Sequence, residues 1–222
     1  DLIAKITNFI AQILAFRSLR KKLGVLNVDN AVTGAAPISP EILRFFMSLG
    51  VPIYEGYGMT ENSAIATGNT PDKVKLGTVG TPQAGTEIKL AEDGEILVRH
   101  PGVFLGYYKN EEATKEVLDS DGWLYTGDVG EYDGEFLKII DRKKDIIITS
   151  GGKNVSPSEI ENNIKTSPFI KEAIVIGDDR KFLSALIGIE YDIVSNWALR
   201  KNIAHTTSVS YTHLRAHETS KH

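Results

Sequence analysis

The sequence predicts an α/β segment, a small antiparallel β subdomain and a compact α+β module, in that order. Three observations predict this mixed fold. Before residue 74, apolar residues at helical spacing alternate with short strand-like runs that end in small-residue loops. From residue 74 the pattern has a period of two and contains two Asp-Gly turns. After residue 145 a strand, a helix and two strands follow one another, as in an α+β module.

The first segment contains two predicted helices with a short strand between them. Apolar residues recur near helical spacing over residues 1–22, which predicts an amphipathic helix. The run NAVTGAAP predicts a short buried strand that ends in a loop of small residues. A second helix is predicted over 39–49, because Ser39 suits its N-cap and Gly50 its C-terminal cap.

The middle segment is predicted to be antiparallel β structure. The run GTEIKLAEDGEILVRH alternates apolar and polar residues around Asp93-Gly94, which predicts a hairpin. The run GEYDGEFLKII predicts a second hairpin that turns at Asp133-Gly134. A short helix is predicted between them over 111–118.

The last segment mixes strands and helices. The run DIIITSGG predicts a strand followed by a glycine turn. Ser156 is followed by a proline and, at the third helical position, a glutamate, which predicts a capping box and a helix behind it. The runs IKEAIVIGD and LSALIGIE predict two buried strands, and a final helix begins in 192–201.

The composition excludes several classes of function. The chain has 222 residues and is 41% hydrophobic, which is enough for a sizeable core and for one or two domains. Its net charge is -4 with both signs interspersed, which gives no electrostatic case for binding nucleic acid or an anionic membrane. The chain has no cysteine, which excludes disulfides and thiolate metal sites and fits a reducing compartment.

The two ends of the chain differ from the rest. The sequence starts without Met on a helical pattern, so we expect a piece of a longer protein, and Lys5 and Arg17 exclude a membrane-spanning segment there. His213 and His217 have the spacing of a helical metal-binding pair, but no third ligand is well placed. We interpret 205–222 as a non-native or disordered tail.

Two motifs in the first segment carry candidate chemistry. In YEGYGMTE, glycines allow backbone amides to approach a ligand, while Thr60 offers a hydroxyl and Glu61 a hard oxygen ligand. This set suits a phosphate with Mg²⁺, although an ordinary turn has the same composition. In TGAAP, small residues after a strand leave a flat slot for a planar ring, or simply form a tight loop before the next helix.

Two further motifs surround the second hairpin. In YTGDVG, the carboxylate of Asp128 can accept hydrogen bonds from both hydroxyls of a ribose, unless it is an ordinary turn aspartate. In IIDRKKDII, Arg142 can donate to a ribose or phosphate, unless the cluster is a solvated basic turn. This cluster lies where the change of pattern predicts a domain boundary, near 141–146.

The order of these motifs resembles that of the adenylate-forming superfamily, which comprises acyl-CoA synthetases, luciferases and the adenylation domains of peptide synthetases. The run DGWLYTGDVGEYDGEFLKIIDRKK looks like the fatty acyl-CoA synthetase signature almost throughout. The run PGVFLGYYKNEEAT looks like the bacterial long-chain branch. The resemblance covers about residues 20–204.

The resemblance implies a domain organisation. Residues 1–142 would form the C-terminal part of the large AMP-binding domain, with an α/β segment and a small antiparallel β subdomain. Residues 143–204 would form a small, mobile C-terminal α+β domain that is truncated here. The fold class implied is therefore α/β plus α+β.

The resemblance also implies an AMP-forming long-chain fatty acid–CoA ligase. A fatty carboxylate would attack the α-phosphate of ATP to give an acyl-adenylate and diphosphate, and coenzyme A would then displace AMP. ATP or AMP, Mg²⁺ and coenzyme A would be the cofactors and co-substrates. A ligase for a medium-chain or aryl acid and a non-catalytic AMP-binding module stay open as alternatives, and a β-rich interaction protein has little support.

The family roles map onto single residues of this chain. Thr60 would contact the phosphates, Glu61 the Mg²⁺, and Lys144 would be the hinge on which the small domain rotates. The other implied ligand contacts are the adenine slot (Gly34, Ala35, Ala36 on one side and Glu55, Gly56, Tyr57 on the other), Gly58 and Met59 beside it, Asp128, Ile140 and Arg142 around the ribose, and Gly151, Gly152 and Lys153 toward coenzyme A.

Two family features have no counterpart in this sequence. The upstream phosphate loop is absent, and neither Lys201 nor Lys221 has the Gly-Lys context of the adenylating lysine. We therefore expect the chain alone to be inactive in adenylation and to depend on a missing N-terminal part of the same protein. We expect a cytoplasmic location, with peripheral contact to the inner face of the membrane through residues 1–22 as an open alternative.

Overall fold

The structure is a computed structural model, and it describes residues 15–203. It divides into two units, one ending at Lys144 and the other starting at Asp145. Both mix strands with a few helices, so the predicted combination of α/β and α+β structure is confirmed. Most of the helix predicted over 1–22 lies outside the described residues, and so does the predicted tail; α1, at Arg17–Lys22, is described.

The first unit begins with a strand, a helix and a parallel strand. A four-stranded sheet has the order β1-β2-β3-β4, in which β1 and β2 are parallel and the later strands antiparallel. The helix α2 connects the two parallel strands, and residues 60–62 form a 3₁₀ turn after β2. The elements are β1 (Ala31–Thr33), α2 (Pro40–Ser48), β2 (Ile53–Tyr57), β3 (Thr67–Gly68) and β4 (Thr81–Pro82).

Both ends of α2 follow from local sequence, but the burial of β1 does not. Ser39 Oγ accepts a hydrogen bond from the amide of Glu41 at 3.2 Å, as predicted for an N-cap. The C-cap is Leu49, one residue before the predicted Gly50, and Gly50 follows it at φ 80°. The prediction that β1 is buried is wrong, because β1 is an edge strand and its central residue, Val32, is 75% exposed.

The second sheet of this unit is an antiparallel meander of four strands, β5-β6-β7-β8. The two predicted hairpins are confirmed as the β5–β6 and β7–β8 pairs. The predicted short helix is α3, and Asn110 Oδ1 caps it by accepting from the amide of Ala113 at 3.1 Å. The elements are β5 (Glu87–Leu90), β6 (Glu95–Arg99), α3 (Glu111–Val117), β7 (Leu124–Asp133) and β8 (Phe136–Arg142).

A shared core joins the two sheets of the first unit. Tyr57 and Ala66, from the first sheet and the loop beside it, pack with Ile96, Val98 and Leu137 of the second. The backbone continues the contact, since the amide of Val79 donates to the carbonyl of Leu137 at 2.8 Å. This core therefore fixes the distance between the end of β2 and strand β7.

The second unit is an α+β module with two small antiparallel sheets. Ser156 Oγ accepts from the amide of Glu159 at 3.2 Å, so the predicted N-cap of α4 is confirmed. Within the described part of the chain, no helix is long and apolar enough to cross a membrane. The elements are β9 (Ile147–Ile148), β10 (Asn154–Val155), α4 (Pro157–Lys165), β11 (Ile170–Ile176), β12 (Ser184–Ile189) and α5 (Tyr191–Arg200).

The prediction of two buried strands in this module is wrong for β12. Helix α4 packs against β11, where Glu161 Oε1 accepts from the amide of Val175 at 2.7 Å. Among residues 15–203, strand β12 pairs only with β11, and its side chains are largely exposed; Leu186 is 61% exposed. An apolar run thus forms the strand, but the neighbours decide which strand is covered.

Only glycine fits at position 80, directly before β4. A substitution there tests the close contact between the backbone of Gly80 and that of Gly68 in β3. A Cβ there would lie 1.9 Å from the carbonyl carbon of Gly68, and φ is 83°. We expect Gly80→Ala to lose about 1–2 kcal/mol from the left-handed backbone and about 1–3 kcal/mol more from overpacking, measured by urea unfolding.

Gly134→Ala is the matched control for that measurement. Gly134 has φ 70°, but nothing lies within 4 Å of its added Cβ, so only the backbone cost applies. Equal losses of stability in the two variants would contradict the close approach at Gly80.

Candidate functional site

The C-terminal ends of β1 and β2 bring two of the predicted motifs side by side. Because the strands are parallel and Thr33 pairs with Glu55, the residues that follow each strand meet at one edge of the sheet. A Cβ on Gly34 would lie 3.1 Å from the carbonyl oxygen of Gly56. Ala35, next along the chain, has φ 65°, a left-handed conformation that alanine rarely adopts. The two predicted walls of the planar slot are thus adjacent backbones.

Glu55 lies at this edge and is partly shielded from solvent. Its Oε2 accepts from the amide of Gly77 at 3.3 Å. Burial raises the pKa of Glu55, and the Gly77 amide opposes that rise. The side chain therefore adds a hydrogen-bond acceptor beside the slot.

The loop after β2 is folded tightly on itself. A Cβ on Gly58 would lie 2.2 Å from the carbonyl oxygen of Ala64, so glycine is required there. The amide of Met59 donates to Asn62 Oδ1 at 2.8 Å, and the amide of Ala64 donates to the carbonyl of Met59 at 2.9 Å. This compact loop presents Thr60, which is exposed, at the start of the 3₁₀ turn.

Glu61 is held by residues that the sequence analysis did not single out. Tyr107 donates its hydroxyl to Glu61 Oε1 at 2.8 Å, and the amide of Phe104 donates to the Glu61 carbonyl at 2.8 Å. The hydrogen bond to Glu61 raises the pKa of Tyr107. In the sequence, Tyr107 lies in an aromatic run, and nothing in that run indicated that Tyr107 would bond to a carboxylate.

The acidic side chains near this loop suit Mg²⁺ only if a substrate supplies further ligands. Over residues 15–203 no group of three metal-ligating side chains occurs. Glu61 can still offer its second carboxylate oxygen, and Mg²⁺ is commonly held by one or two carboxylates together with substrate phosphates. The residues present therefore fit a metal that arrives with a phosphate-bearing ligand.

Asp128 lies in a β-bulge of strand β7. Glu95 pairs with Val129 and Leu97 with Tyr125, so three residues of β7 face only one residue of β6. Thr126 Oγ1 fills the interrupted ladder, donating to the carbonyl of Ile96 at 2.8 Å and accepting from the amide of Asp128 at 3.2 Å. A bulge turns side chains away from the regular alternation, and this one directs Asp128 toward the end of β2.

The carboxylate of Asp128 has a partner on each oxygen. Tyr57 donates its hydroxyl to Oδ2 at 2.7 Å, and Arg142 Nε lies 3.3 Å from Oδ1. Asp128 and Arg142 are also cross-strand partners in the register of β7 and β8. Tyr57, Asp128 and Arg142, which lie far apart in the sequence, therefore form one cluster.

Burial dominates the electrostatics of this cluster. Asp128 is 7% exposed, and burial raises the pKa of its carboxyl although Tyr57 and Arg142 both lower it. The neighbouring carboxylates of Asp141 and Glu95 raise it further. Burial, followed by the charge of Asp128, likewise raises the pKa of Tyr57, so its phenol stays a hydrogen-bond donor. The cluster is thus an ionisable acceptor with one hydrogen-bond donor, Tyr57, and one cation, Arg142.

Glu95 and Lys143 support the bulge, and sequence reasoning missed both. Glu95 Oε1 accepts from the amide of Gly127 at 3.0 Å, and its Oε2 accepts from Lys143 Nζ at 2.8 Å. Lys143 Nζ also lies 2.6 Å from Asp93 Oδ2. The sequence offered no signal, because the first residue after an Asp-Gly turn is ordinarily exposed.

The remaining predicted residues fall in two places. Lys144, Arg142, Lys143 and Gly127 line an open groove at the end of the first unit. Ile140 lies two residues before Arg142 on β8, where the register with β7 shifts between Val129 and Gly130.

Within the second unit, the predicted glycine turn joins β9 to β10. The amide of Thr149 donates to the carbonyl of Lys153 at 3.0 Å, and the amide of Gly152 donates to the carbonyl of Thr149 at 2.8 Å. Gly152 has φ 76°, and Gly151, Gly152 and Lys153 are all exposed. The turn is therefore a tight, accessible tip of this unit.

Two family models match this chain. A model described as AMP-binding enzyme matches residues 4–108, and a model described as AMP-binding enzyme C-terminal domain matches residues 144–207. Asp128 and Arg142 lie between the two matched ranges, whereas Tyr57 lies within the first.

Several curated relatives and solved structures are similar to the chain. It is 43% identical over 190 residues to the long-chain-fatty-acid–CoA ligase FadD15 of Mycobacterium bovis, covering 85% of this chain and 31% of that protein. It is 42% identical over 213 residues to the long-chain-fatty-acid–CoA ligase 6 of Mus musculus, covering 90% of this chain and 30% of that protein. The chain thus spans about a third of the length of the curated relatives it matches.

A solved structure shows the same fold with a nucleotide bound. The o-succinylbenzoate coenzyme A synthetase MenE of Bacillus subtilis, in complex with AMP, superimposes with a TM-score of 0.68 at 31% identity. The match covers 79% of this chain and 39% of that one. The same enzyme in complex with ATP and magnesium superimposes with a TM-score of 0.66.

The raised pKa of Asp128 predicts that this residue costs the fold stability at neutral pH. A carboxyl whose pKa is raised on folding stabilises the protein at low pH, and this stabilisation is lost as pH rises through the folded-state pKa. Asp128→Asn is expected to keep both partners, because the Tyr57 hydroxyl can also accept a hydrogen bond. We expect the variant to unfold at higher urea concentration than the parent at pH 7, with the difference shrinking as the pH falls.

Asp121→Asn serves as the control, since Asp121 is exposed and its substitution is expected to change stability within about 0.5 kcal/mol. Lower stability of Asp128→Asn at pH 7 would mean that the bonds from Tyr57 and Arg142 outweigh burial, contrary to this account.

Proposed function

The chain belongs to the AMP-binding enzyme family, and from this membership we propose that it forms the AMP-holding part of a long-chain fatty acid–CoA ligase. The observation that carries the proposal is the buried carboxylate of Asp128 between the hydroxyl of Tyr57 and the guanidinium of Arg142. Such a carboxylate costs stability, and a protein keeps it where an acceptor of fixed geometry is needed.

In this proposal Asp128 binds the two ribose hydroxyls of AMP. Tyr57 occupies one lone pair of Oδ2, Arg142 forms an ion pair with Oδ1, and each oxygen keeps a lone pair that can accept from a hydroxyl. The hydrogen bond from Tyr57 and the charge of Arg142 also limit rotation of the carboxylate. The side chain of Arg142 is 56% exposed, so its guanidinium could also donate to the ribose while Nε stays beside Asp128.

The adenine ring would lie in the slot at the ends of β1 and β2. The wall made of Gly34, Ala35 and Ala36 has little side-chain bulk, and the opposite wall begins at Glu55. A planar base can lie flat against such a surface of small residues when backbone groups at its edge meet its polar atoms. A Cβ on Gly34 would lie 3.1 Å from the carbonyl oxygen of Gly56, so the two backbones are direct neighbours and the ring would lie against their shared edge.

The phosphates would lie over the loop after β2. Thr60 is exposed at the start of the 3₁₀ turn and can donate its hydroxyl, and Glu61 would hold Mg²⁺ together with phosphate oxygens. When bound, the metal neutralises charge on the phosphates. Tyr107, by donating to Glu61, would keep that carboxylate facing the loop.

The reaction proposed for the whole protein has two steps. The fatty carboxylate attacks the α-phosphate of ATP, forming an acyl-adenylate and releasing diphosphate. The coenzyme A thiolate then attacks the acyl carbon and releases AMP. The contribution of this chain is to bind and orient the nucleotide throughout, which is a large part of catalysis in such reactions.

The role of the second unit is part of the same proposal. Lys144 would be the pivot on which this small domain moves between the two steps, and the exposed turn with Gly151, Gly152 and Lys153 would approach coenzyme A. A cytoplasmic location and peripheral contact with the membrane stay predictions.

The acid substrate is proposed to be a fatty acid rather than an aryl acid. The chain is 43% identical to a fatty acid–CoA ligase and 31% identical to an o-succinylbenzoate ligase, and this difference favours the fatty acid. Thioester formation by the complete protein with acids of increasing length and with aryl acids decides between them. Faster turnover of the aryl acids would establish the alternative.

The proposed ribose contact predicts the effect of Asp128→Ala on AMP binding. We expect calorimetric titration of the 222-residue chain with AMP to show binding. Loss of the charge-assisted bonds should weaken it by about 1.5–3 kcal/mol, or roughly 10- to 150-fold. Asp121→Ala is the control, and equal weakening in both variants would refute the contact.

The raised pKa of Asp128 predicts a pH dependence of nucleoside binding. As pH falls through this raised pKa the carboxylate becomes protonated and accepts fewer hydrogen bonds, so affinity should fall at a higher pH than for an exposed aspartate. Adenosine is the better probe, because it has no phosphate that titrates in this range. Asp128→Asn should show a flat profile, and a pH-dependent profile in that variant would assign the titration to another group.

A further inference from the structure

Glu95 contacts both flanks of the Asp128–Arg142 pair. Its carboxylate accepts from the amide of Gly127, directly before Asp128, and from the side chain of Lys143, directly after Arg142. We propose that Glu95 and Lys143 are positioning residues that hold Asp128 and Arg142 in the geometry needed to bind a ribose. This inference rests on the proposed function and extends it to two residues that would not touch the ligand.

The bulge creates the need for Glu95. In a regular ladder the amide of Gly127 would donate to a carbonyl of β6, but here three residues face one, and Gly127 adopts φ 72°. Glu95 Oε1 replaces that carbonyl at 3.0 Å. Without it the amide next to Asp128 would lack an acceptor inside the sheet, and the bulge would relax toward another conformation.

Lys143, directly after β8, completes this set of hydrogen bonds around the bulge. Its amide donates to the carbonyl of Gly127 at 2.8 Å, and its Nζ lies 2.8 Å from Glu95 Oε2. Glu95, Gly127 and Lys143 therefore form a closed ring of three hydrogen bonds that joins β6, β7 and the residue directly after β8. Asp128 directly follows Gly127 and Arg142 directly precedes Lys143, so the ring helps to set the distance between Asp128 and Arg142.

The charge balance of the ring supports a role beyond stability. Glu95 is 7% exposed and lies at the start of a strand whose next three residues belong to the core. A buried carboxylate is expensive unless a cation meets it. The hydrogen bonds that Lys143 donates to Asp93 and Glu95 raise the pKa of Lys143, so the cation persists through the physiological range. An apolar residue at position 95 would cost less but could not accept from Gly127.

The test compares AMP with 2′,3′-dideoxy-AMP as ligands of the 222-residue chain, by calorimetry. The ratio of the two affinities reports ribose recognition, and a general loss of stability does not change it. We expect Glu95→Gln and Lys143→Met each to lower this ratio about tenfold, while affinity for the dideoxy nucleotide changes less than about twofold.

Two further variants sharpen the comparison. Lys143→Arg keeps a cation and is expected to retain most of the ratio. Lys138→Met removes a cation from β8, one that pairs with Glu131 at 2.9 Å, and is expected to leave the ratio unchanged.

The outcomes separate this inference from the proposed function. If the parent chain does not prefer AMP to the dideoxy nucleotide, the proposed function fails before any variant is made, and this inference fails with it. If the parent shows the preference and Lys143→Met keeps it, only the positioning role is overturned. Circular dichroism checks that each variant folds. The side chain of Lys143 is 49% exposed, so we expect Lys143→Met to fold even if Glu95→Gln does not, and the test can rest on that variant alone.

Discussion

The buried carboxylate of Asp128 is the constraint on which the rest of the first unit depends. Removing an ionised group from water is costly, so the neighbouring strands must supply a donor and a compensating charge. Tyr57 comes from β2 and Arg142 from β8, while the bulge of β7 is closed by Glu95. The two sheets therefore have to meet at this point, and the packing between them serves the carboxylate as much as it serves the core.

Two kinds of contact hold the two sheets at a distance that allows hydrogen bonds between them. The core formed around Tyr57, Ile96 and Leu137 holds the sheets close enough for the Tyr57 hydroxyl to bond to Asp128. At Gly58 and Gly80 the backbone lies so close to a neighbouring segment that there is no room for a Cβ, so these loops are tightly packed. A nucleotide needs such rigidity, because a hydrogen bond weakens steeply when donor and acceptor move apart or out of line.

Under the proposed function, the cluster places nucleotide binding on a small antiparallel sheet. Bond making in an adenylating enzyme involves the substrate carboxylate, the phosphate and the thiol, and the protein mainly orients them. The side chains proposed to do so here lie at the end of a parallel strand, in a bulge and at the last residue of a strand, where regular hydrogen bonding stops. Those are the positions at which polar groups stay available for a ligand, and they carry a cost in stability that the surrounding core offsets.

Much of this molecule was determined by local sequence. The two Asp-Gly hairpins, the caps at Ser39 and Ser156 and the order of the motifs depend on residues a few positions apart, and a single sequence contains that information. The exposure of Val32 and of β12 was decided by the tertiary structure, because burial depends on which elements lie alongside. So were the partnerships of Tyr57 with Asp128, 71 residues away, and of Glu95 with Lys143, 48 residues away. Turns and caps are short-range interactions that the chain specifies locally, whereas a contact between distant side chains exists only once packing has brought their strands together.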